Sequence, residues 1–129
     1  MGVSIRDFMT KTVAIVDDDR GMRVSVERLL KAHGFTTKTF ESAEAMLETL
    51  AIAEIDCLVL DINLGGMSGI DLCRRLGSAE TSIPTIFITA VDDDATYKSA
   101  FKSGCVAYLR KPFLGRSLIE AIEAATGST

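Results

Sequence analysis

Cysteine, histidine and proline are scarce in this 129-residue sequence, and tryptophan is absent. Cys57, Cys73 and Cys105 are widely spaced and form no C-x-x-C pair, and His33 is the only histidine. A tetrahedral zinc site would therefore have to draw its ligands from four distant segments. The odd cysteine count also gives no disulfide framework. We expect buried free thiols in a reducing compartment.

Long apolar runs and basic stripes are also missing. No run approaches the roughly 18–20 apolar residues of a membrane-spanning helix, and the first ten residues lack the apolar core of a signal peptide. The formal net charge is −4, with lysines and arginines scattered among acidic residues. Because nucleic-acid binding needs a basic surface, we expect neither nucleic-acid nor membrane binding by this chain alone. A cytoplasmic location follows by elimination.

The composition that is present, 47% hydrophobic and 25% charged residues, is that of a globular protein. The length corresponds to one domain, which we assign to residues 11–126. Residues 1–10 are then an N-terminal extension, either native and disordered or added by cloning, since Met9 could also be the first residue.

Short apolar runs alternate with stripes of helical spacing along the chain. The runs predict five strands, at residues 11–16, 35–40, 57–60, 85–89 and 107–110. A helical stripe follows each run, and the second stripe extends to Leu50 after a predicted N-cap at Ser42. Gly34 and Gly104 occupy helix-closing positions. Strands that are continuously apolar indicate a parallel sheet covered by helices on both sides.

Four of the predicted strands end next to a notable polar residue. Residues 17–19 are three aspartates after the first strand, and Asp61, Thr89 and Lys111 follow the third, fourth and fifth. In an open parallel sheet, ligands bind beyond the carboxyl ends of the strands. We therefore expect these side chains to converge at one edge of the sheet.

Crowded carboxylates at such an edge need a cation. Oxygen ligands favour a hard divalent ion such as Mg²⁺, and Lys111 and Thr89 can bind phosphoryl oxygens. Together these groups form an electrostatic clamp for phosphoryl transfer, with Asp61 as the nucleophile. Each signal alone has an ordinary alternative: a solvated helix-capping loop for the aspartates, a surface lysine and a structural strand threonine.

Four motifs in order extend this interpretation: V-D-D-D at 16–19, L-D-I-N-L-G-G-M-S-G at 60–69, I-T-A at 88–90 and Y-L-R-K-P-F at 108–113. In these motifs the chain resembles the receiver domains of two-component response regulators, within the CheY-like superfamily. Residues 28–34 and 40–44 resemble the nitrogen-fixation regulator branch in particular. The resemblance covers residues 12–125. It implies a three-layer, flavodoxin-like (βα)5 fold with a parallel five-stranded sheet in strand order 2-1-3-4-5.

The resemblance also implies roles for individual residues. Asp61 matches the phosphoacceptor, and Asp17 and Asp18 match the acidic pair that binds Mg²⁺ together with Asp61. Asn63 matches the residue whose backbone carbonyl is a further metal ligand. Thr89 matches the switch hydroxyl, and Tyr108 matches the aromatic side chain that rotates on activation. Lys111 matches the lysine that pairs with the phosphate. The Lys111–Pro112 peptide bond matches a bond that is usually cis in the family.

The implied function is phosphoryl transfer from a phosphohistidine on a sensor histidine kinase or histidine phosphotransfer protein. Phosphorylation would switch the face of the fourth helix, fifth strand and fifth helix toward a downstream effector or a homodimer. The domain would be a signalling phosphoprotein that catalyses its own phosphorylation and dephosphorylation, and not an enzyme otherwise. Two departures stand out: Gly65 replaces a frequent proline, which loosens the loop after Asp61, and Val91 and Asn63 occupy positions that tune dephosphorylation.

Two other functions remain open at this stage. Aspartate nucleophiles with Mg²⁺ also occur in phosphohydrolases, which usually place a D-x-D motif after the first strand, and residues 17–19 contain such a motif. The second alternative is an unphosphorylated pseudo-receiver that acts as an interaction module. Its usual mark is a missing acid, threonine or lysine, and this sequence lacks none of the three.

Overall fold

A computed structural model of the chain describes residues 10–49, 52–77 and 83–127. These ranges contain five strands and five α-helices that alternate along the chain. The strands are β1 (Thr12–Val16), β2 (Thr36–Phe40), β3 (Cys57–Asp61), β4 (Thr85–Thr89) and β5 (Ala107–Arg110). The helices are α1 (Arg20–Ala32), α2 (Ala43–Leu47), α3 (Gly69–Gly77), α4 (Asp94–Lys102) and α5 (Gly115–Thr126).

The five strands form one parallel sheet in the order β2-β1-β3-β4-β5. This confirms the fold class, the strand number and the strand order expected from the sequence. Each strand lies within one residue of its predicted range, because a short apolar run between polar residues marks a buried strand clearly.

The core is divided by the sheet into two apolar layers, because alternate residues of a strand point to opposite faces. On β1, Val13 and Ile15 join the layer beneath α1 and α5, whereas Ala14 and Val16 join the layer beneath α2, α3 and α4. The central strands β1, β3 and β4 are buried along their whole length. Helices therefore cover both faces, as in a three-layer α/β/α fold.

Helix termini agree with the sequence, except in α2. The Ser42 side chain accepts from the N–H of Ala45 as the predicted N-cap, and Gly34 and Gly104 have φ of +87° and +103° after α1 and α4. However, α2 ends at Leu47, and a short 3₁₀ helix at Ile52–Glu54 was not predicted. The spacing of apolar residues does not mark the end of a helix that lacks a closing glycine. Leu50 lies outside the described residues.

Several smaller expectations can also be compared with the structure. Cys57, Cys73 and Cys105 are buried free thiols, as predicted, and burial raises the pKa of Cys57 to about 12 and that of Cys105 to about 11. The Lys111–Pro112 peptide bond is cis. No helix within the described ranges is long and apolar enough to span a membrane. The predicted extension lies outside the described residues, apart from Thr10.

Gly69 generates a testable prediction about the start of α3. Its N–H donates to the Ile62 carbonyl at 2.9 Å, and a Cβ at this position would clash with the Asp61 carbonyl oxygen. Gly69→Ala should therefore lower the free energy of unfolding by about 1–3 kcal/mol in urea denaturation. Gly77→Ala is the matched control, because a Cβ there meets no described atom within 4 Å. Equal stability of the two variants would contradict the prediction.

Candidate functional site

Four strands bring polar side chains to one edge of the sheet. Asp17 directly follows β1, Asp61 is the last residue of β3, Thr89 is the last residue of β4, and Lys111 directly follows β5. The registers of the neighbouring strands align these ends. The convergence arises because parallel strands all present their carboxyl ends at the same edge.

Lys111 joins two of these strands through its ammonium group. Its Nζ donates to Oδ2 of Asp17 and to Oδ2 of Asp61, at 2.9 Å in both cases. The Asp17 side chain is fully buried, and the Asp61 and Lys111 side chains are 10% and 17% exposed. One largely buried cation thus pairs with two carboxylates that lie 44 residues apart in the sequence, and the three groups keep a net negative charge.

The other oxygens of the two aspartates are held by backbone groups. Oδ1 of Asp17 accepts from the N–H of Asp19 at 2.9 Å, and Oδ1 of Asp61 accepts from the N–H of Asn63 at 3.0 Å. Arg23 fixes the backbone beside them, because its Nη1 donates to the Asp17 carbonyl at 2.8 Å. Every buried side-chain nitrogen and oxygen in the described residues has a hydrogen-bond partner.

Burial disfavours the charged forms of both Asp17 and Lys111, but their pairing offsets it to different extents. Burial raises the pKa of Asp17 above its ordinary value, and the hydrogen bond from Asp19 and the pairing with Lys111 only partly offset that rise. Burial alone would lower the pKa of Lys111, but hydrogen bonds to Asp61 and Asp17 outweigh burial and leave it raised. The environment therefore favours the charged form of Lys111, whereas it disfavours the charged form of Asp17.

The acidic groups of the edge suit a hard metal ion. Oxygen atoms of Asp17, Asp18 and Asp61 all lie within 4.8 Å of one another, with Asp18 exposed to solvent and the other two residues buried. Carboxylate oxygens with open access to water are the donor set that Mg²⁺ prefers, since this ion retains several water ligands. These three residues therefore fit Mg²⁺, and no soft ligand occurs in the cluster to favour zinc.

Thr89 and Tyr108 lie at the same edge but contact a different partner. Oγ1 of Thr89 accepts from the N–H of Val91 at 3.2 Å, and the hydroxyl of Tyr108 donates to the Val91 carbonyl at 2.8 Å. Asp61 is in register with Ile88, so Thr89 lies one residue further along the neighbouring strand. The structure thus gathers Asp17, Asp18, Asp61 and Lys111 into one cluster, and it groups Thr89 and Tyr108 around Val91.

An aromatic cluster and an ion pair border the Val91 loop. The ring centroid of Tyr97 lies 4.9 Å from that of Phe101 and 5.2 Å from that of Tyr108. Arg110 Nη1 contacts Oδ2 of Asp92 at 2.6 Å, with both side chains largely exposed. Burial, together with the nearby acids, raises the pKa of Tyr108, so its hydroxyl remains a hydrogen-bond donor at neutral pH.

Three contacts near the edge were not predicted from the sequence. They involve Arg23, the Arg110–Asp92 pair, and Glu44, whose Oε2 accepts from the N–H of Met67 at 2.8 Å. Only Arg23 had a signal in the sequence. It lies in the first turn of α1, which contains no acid, and a helix N-terminus disfavours a positive charge, so a specific acceptor for its side chain could have been expected. The other contacts join distant loops and have no signature in a single sequence.

Comparison with known proteins identifies the class to which this fold and this cluster belong. Residues 13–123 match the family model described as the response regulator receiver domain. The chain therefore belongs to this family of two-component signalling domains, as its motifs indicated.

Individual relatives support the same assignment. The chain is 40% identical over 115 residues to the transcriptional regulatory protein FixJ of Rhizobium meliloti (strain 1021), covering 89% of this chain and 56% of FixJ. It is also 40% identical over 114 residues to nodulation protein W of Bradyrhizobium diazoefficiens, covering 88% of this chain and 50% of that protein. The chain thus spans about half the length of these curated relatives.

Solved structures agree with the fold. The crystal structure of FixJ-N superposes with a TM-score of 0.81 at 38% identity, covering 92% of this chain and 95% of that one. A receiver domain protein from Methanospirillum hungatei JF-1 superposes with a TM-score of 0.85 at 24% identity, covering 92% and 94% of the two chains. The second likeness shows the fold alone.

Substitutions of Lys111 and of its partner Asp17 should change the stability of the protein in opposite directions. Without divalent ions at neutral pH, Lys111→Met should lower the free energy of unfolding by about 2 kcal/mol, because it leaves two buried carboxylates without their cation. Asp17→Asn should raise the free energy of unfolding, because it removes a charge that burial disfavours and keeps an oxygen for the N–H of Asp19. Urea denaturation in the presence of a chelator measures both.

The pH dependence has a defined sign. Because the folded pKa of Asp17 is raised, the folded state binds this proton more readily than the unfolded state. Asp17→Asn should therefore be most favourable above that pKa, and its advantage should shrink as the pH falls through it. Destabilisation by both variants at neutral pH would instead indicate a simple stabilising salt bridge.

Proposed function

We propose that this receiver domain accepts a phosphoryl group on Asp61, with Lys111 as the cation that pairs with the phosphoryl oxygens. The observation that carries the proposal is the 2.9 Å contact of the Lys111 Nζ with Oδ2 of Asp61, beside the acids Asp17 and Asp18. A carboxylate nucleophile, a positive charge and a metal-binding donor set then lie at a single edge of the sheet. Phosphoryl transfer needs this positioning and charge more than it needs covalent chemistry.

The group held at this edge would be Mg²⁺. Asp17, Asp18 and Asp61 would bind it through side-chain oxygens, and Asn63 would bind it through its backbone carbonyl. When bound, Mg²⁺ supplies positive charge that neutralises the carboxylates and the oxygens of the transferring phosphoryl group.

The protein residues have separable roles in the transfer. A carboxylate oxygen of Asp61 attacks the phosphorus of a phosphohistidine, so a P–O bond forms as the P–N bond breaks and the imidazole keeps the bonding electron pair. Lys111 needs to move only a short distance to pair with a phosphoryl oxygen on Asp61, because its Nζ already contacts Oδ2 of that residue. The N–H of Asn63 holds the other carboxylate oxygen during the attack. The phosphohistidine belongs to a sensor histidine kinase or a histidine phosphotransfer protein.

Thr89 and Tyr108 provide the conformational response. In the structure described here, both bond to Val91. A phosphoryl group on Asp61 offers the Thr89 hydroxyl a charged acceptor, and charged acceptors form stronger hydrogen bonds than neutral ones. Movement of Thr89 then releases the N–H of Val91, and the packing of Tyr108 changes with it.

The output surface is the face formed by α4, β5 and α5. It exposes large apolar side chains, with Tyr97 51%, Phe101 40% and Val106 54% exposed, and such a surface suits a homodimer or a downstream effector. We assign the receiver domain to residues 11–126 and place it in the cytoplasm. It catalyses its own phosphorylation and dephosphorylation, and we expect this chain alone not to bind nucleic acid.

The phosphoacceptor assignment is tested with acetyl phosphate and Mg²⁺. Intact-mass spectrometry should show a single phosphoryl adduct on the wild type that is lost when Mg²⁺ is chelated. Asp61→Ala should show no adduct, because the nucleophile is missing. Asp71→Asn should be labelled like the wild type, because Asp71 is a surface acid of α3 that pairs with Arg74.

Other outcomes separate the remaining functions. Equal labelling of wild type and Asp61→Ala would exclude Asp61 as the acceptor. A wild type that is never labelled would indicate a pseudo-receiver. Sustained multiple-turnover release of phosphate from a small phosphate ester would indicate a phosphohydrolase.

The switch is tested with Thr89→Val, which removes the hydroxyl but keeps the branched shape. Beryllofluoride with Mg²⁺ should shift the amide NMR signal of Val91 strongly in the wild type, since its hydrogen-bond partner leaves. In Thr89→Val, the analogue should still bind at Asp61, as seen from the Asn63 amide, while the Val91 signal changes little. Equal Val91 shifts in both proteins would contradict the role of Thr89.

A further inference from the structure

The loop between β3 and α3 is tethered from outside by one acidic side chain. This loop, residues 62–68, begins directly after Asp61 and includes the consecutive glycines Gly65 and Gly66. Glu44 lies on the first turn of α2, 23 residues before Met67, and its Oε2 accepts from the Met67 N–H at 2.8 Å. Helix α2 and the loop are thus joined by a side-chain-to-backbone bond.

Helix α2 holds Glu44 in a fixed position. Ser42 caps the helix by accepting from the N–H of Ala45, and the side chains of Ala43 and Met46 are completely buried in the core. Glu44 therefore extends from an anchored turn, although its own side chain is not enclosed. Its pKa is lowered, first by the hydrogen bond from Met67 and then by its own N–H, so it is a carboxylate at neutral pH.

Gly66 is shaped to receive this carboxylate. Its φ of +130° is a conformation that other residues rarely adopt, and a Cβ there would lie 2.8 Å from Oε2 of Glu44. Met67 then packs against the core layer beneath α2, α3 and α4. The loop backbone and the Glu44 side chain therefore fit closely over two consecutive residues.

The ends of the loop are held by other bonds. At the start, the N–H of Asn63 donates to Oδ1 of Asp61 at 3.0 Å. At the end, the N–H of Gly69 donates to the Ile62 carbonyl at 2.9 Å. Neither bond restrains Gly65 and Gly66, which lose more conformational freedom on ordering than other residues. The Glu44 contact acts on this middle part.

We propose that Glu44 is a positioning residue for the phosphorylation site: by ordering the loop at residues 65–67, it fixes the backbone at Asn63. This inference rests on the proposed function, in which the Asn63 carbonyl binds Mg²⁺. The hydrogen bond from a neighbouring helix thus restricts a loop segment that contains two consecutive glycines.

The experiment compares Glu44→Ala and Glu44→Gln with the wild type. Glu48→Gln is the control, because it removes an acid four residues further along without changing the bond to Met67. Isothermal titration with Mg²⁺ should show about tenfold weaker binding for Glu44→Ala, the size expected when a group that orients a metal ligand is lost. Glu44→Gln keeps an oxygen acceptor and should recover most of the affinity. Glu48→Gln should bind Mg²⁺ like the wild type.

Loop order can be measured without metal or phosphate. Hydrogen exchange of the Met67 and Asn63 amides should be faster in Glu44→Ala, while amides of β1 and β3 should stay as protected as in the wild type. A role confined to stability would instead weaken protection throughout the molecule.

The double variant Glu44→Ala/Gly65→Pro provides the sharpest test. Gly65 does not have positive φ and a Cβ there meets no described atom within 4 Å, so neither a left-handed backbone nor a Cβ clash opposes a proline at this position. The proline should restore Mg²⁺ affinity and slow the exchange at Asn63. Unchanged Mg²⁺ affinity in Glu44→Ala, or no recovery in the double variant, would overturn the proposal. Failure of acetyl phosphate to label the wild type would instead refute the phosphoacceptor function, whatever the loop measurements show.

Discussion

Two carboxylates at the edge of the sheet share one ammonium group, and the site depends on this interaction. Two unit charges about 4 Å apart repel by roughly 4 kcal/mol at an effective dielectric of about 20. Lys111 offsets this repulsion by contacting both Asp17 and Asp61. The position of Lys111 explains why a lysine is needed. It follows β5, which is one of the two outermost strands, and β4 separates β5 from β3. With strands about 4.8 Å apart, a long side chain is required to reach across β4.

Two groups of side chains lie at the carboxyl ends of the strands, the charged cluster around Asp61 and the residues around Val91. Asp61 continues the positions that face α1 and α5, as do Cys57 and Val59 on the same strand. Tyr108 packs instead on the layer beneath α2, α3 and α4. The charged cluster and the Val91 loop meet at the carboxyl ends of β3 and β4, where Asp61 is in register with the residue before Thr89. Thr89 stands on β4 between β3 and β5, the position that the proposed route from Asp61 to Tyr108 requires.

The sequence predicted the strands and the charged cluster because both have local signatures. An apolar run that ends in a polar residue locates a strand and its functional end together, as at Thr85–Thr89. The Glu44–Met67 and Arg110–Asp92 contacts were not predicted, because each depends on loop conformations that residue spacing does not encode. The end of α2 was missed for a related reason. Apolar spacing predicts which face of a helix is buried, but packing and capping decide where the helix ends.

The loops at this edge are held more weakly than the strands that carry it. The loop after β4 is fastened by two neutral hydrogen bonds at Val91 and by an exposed ion pair between Arg110 and Asp92. A neutral hydrogen bond contributes about 1 kcal/mol net, and an exposed ion pair contributes less than about 1 kcal/mol. One charge-assisted hydrogen bond from Thr89 to a phosphoryl oxygen, worth about 1.5–3 kcal/mol, is therefore comparable with the whole set. Under the proposed function the buried strands do not need to move, so a single new bond of this size would be enough to shift the population of this loop.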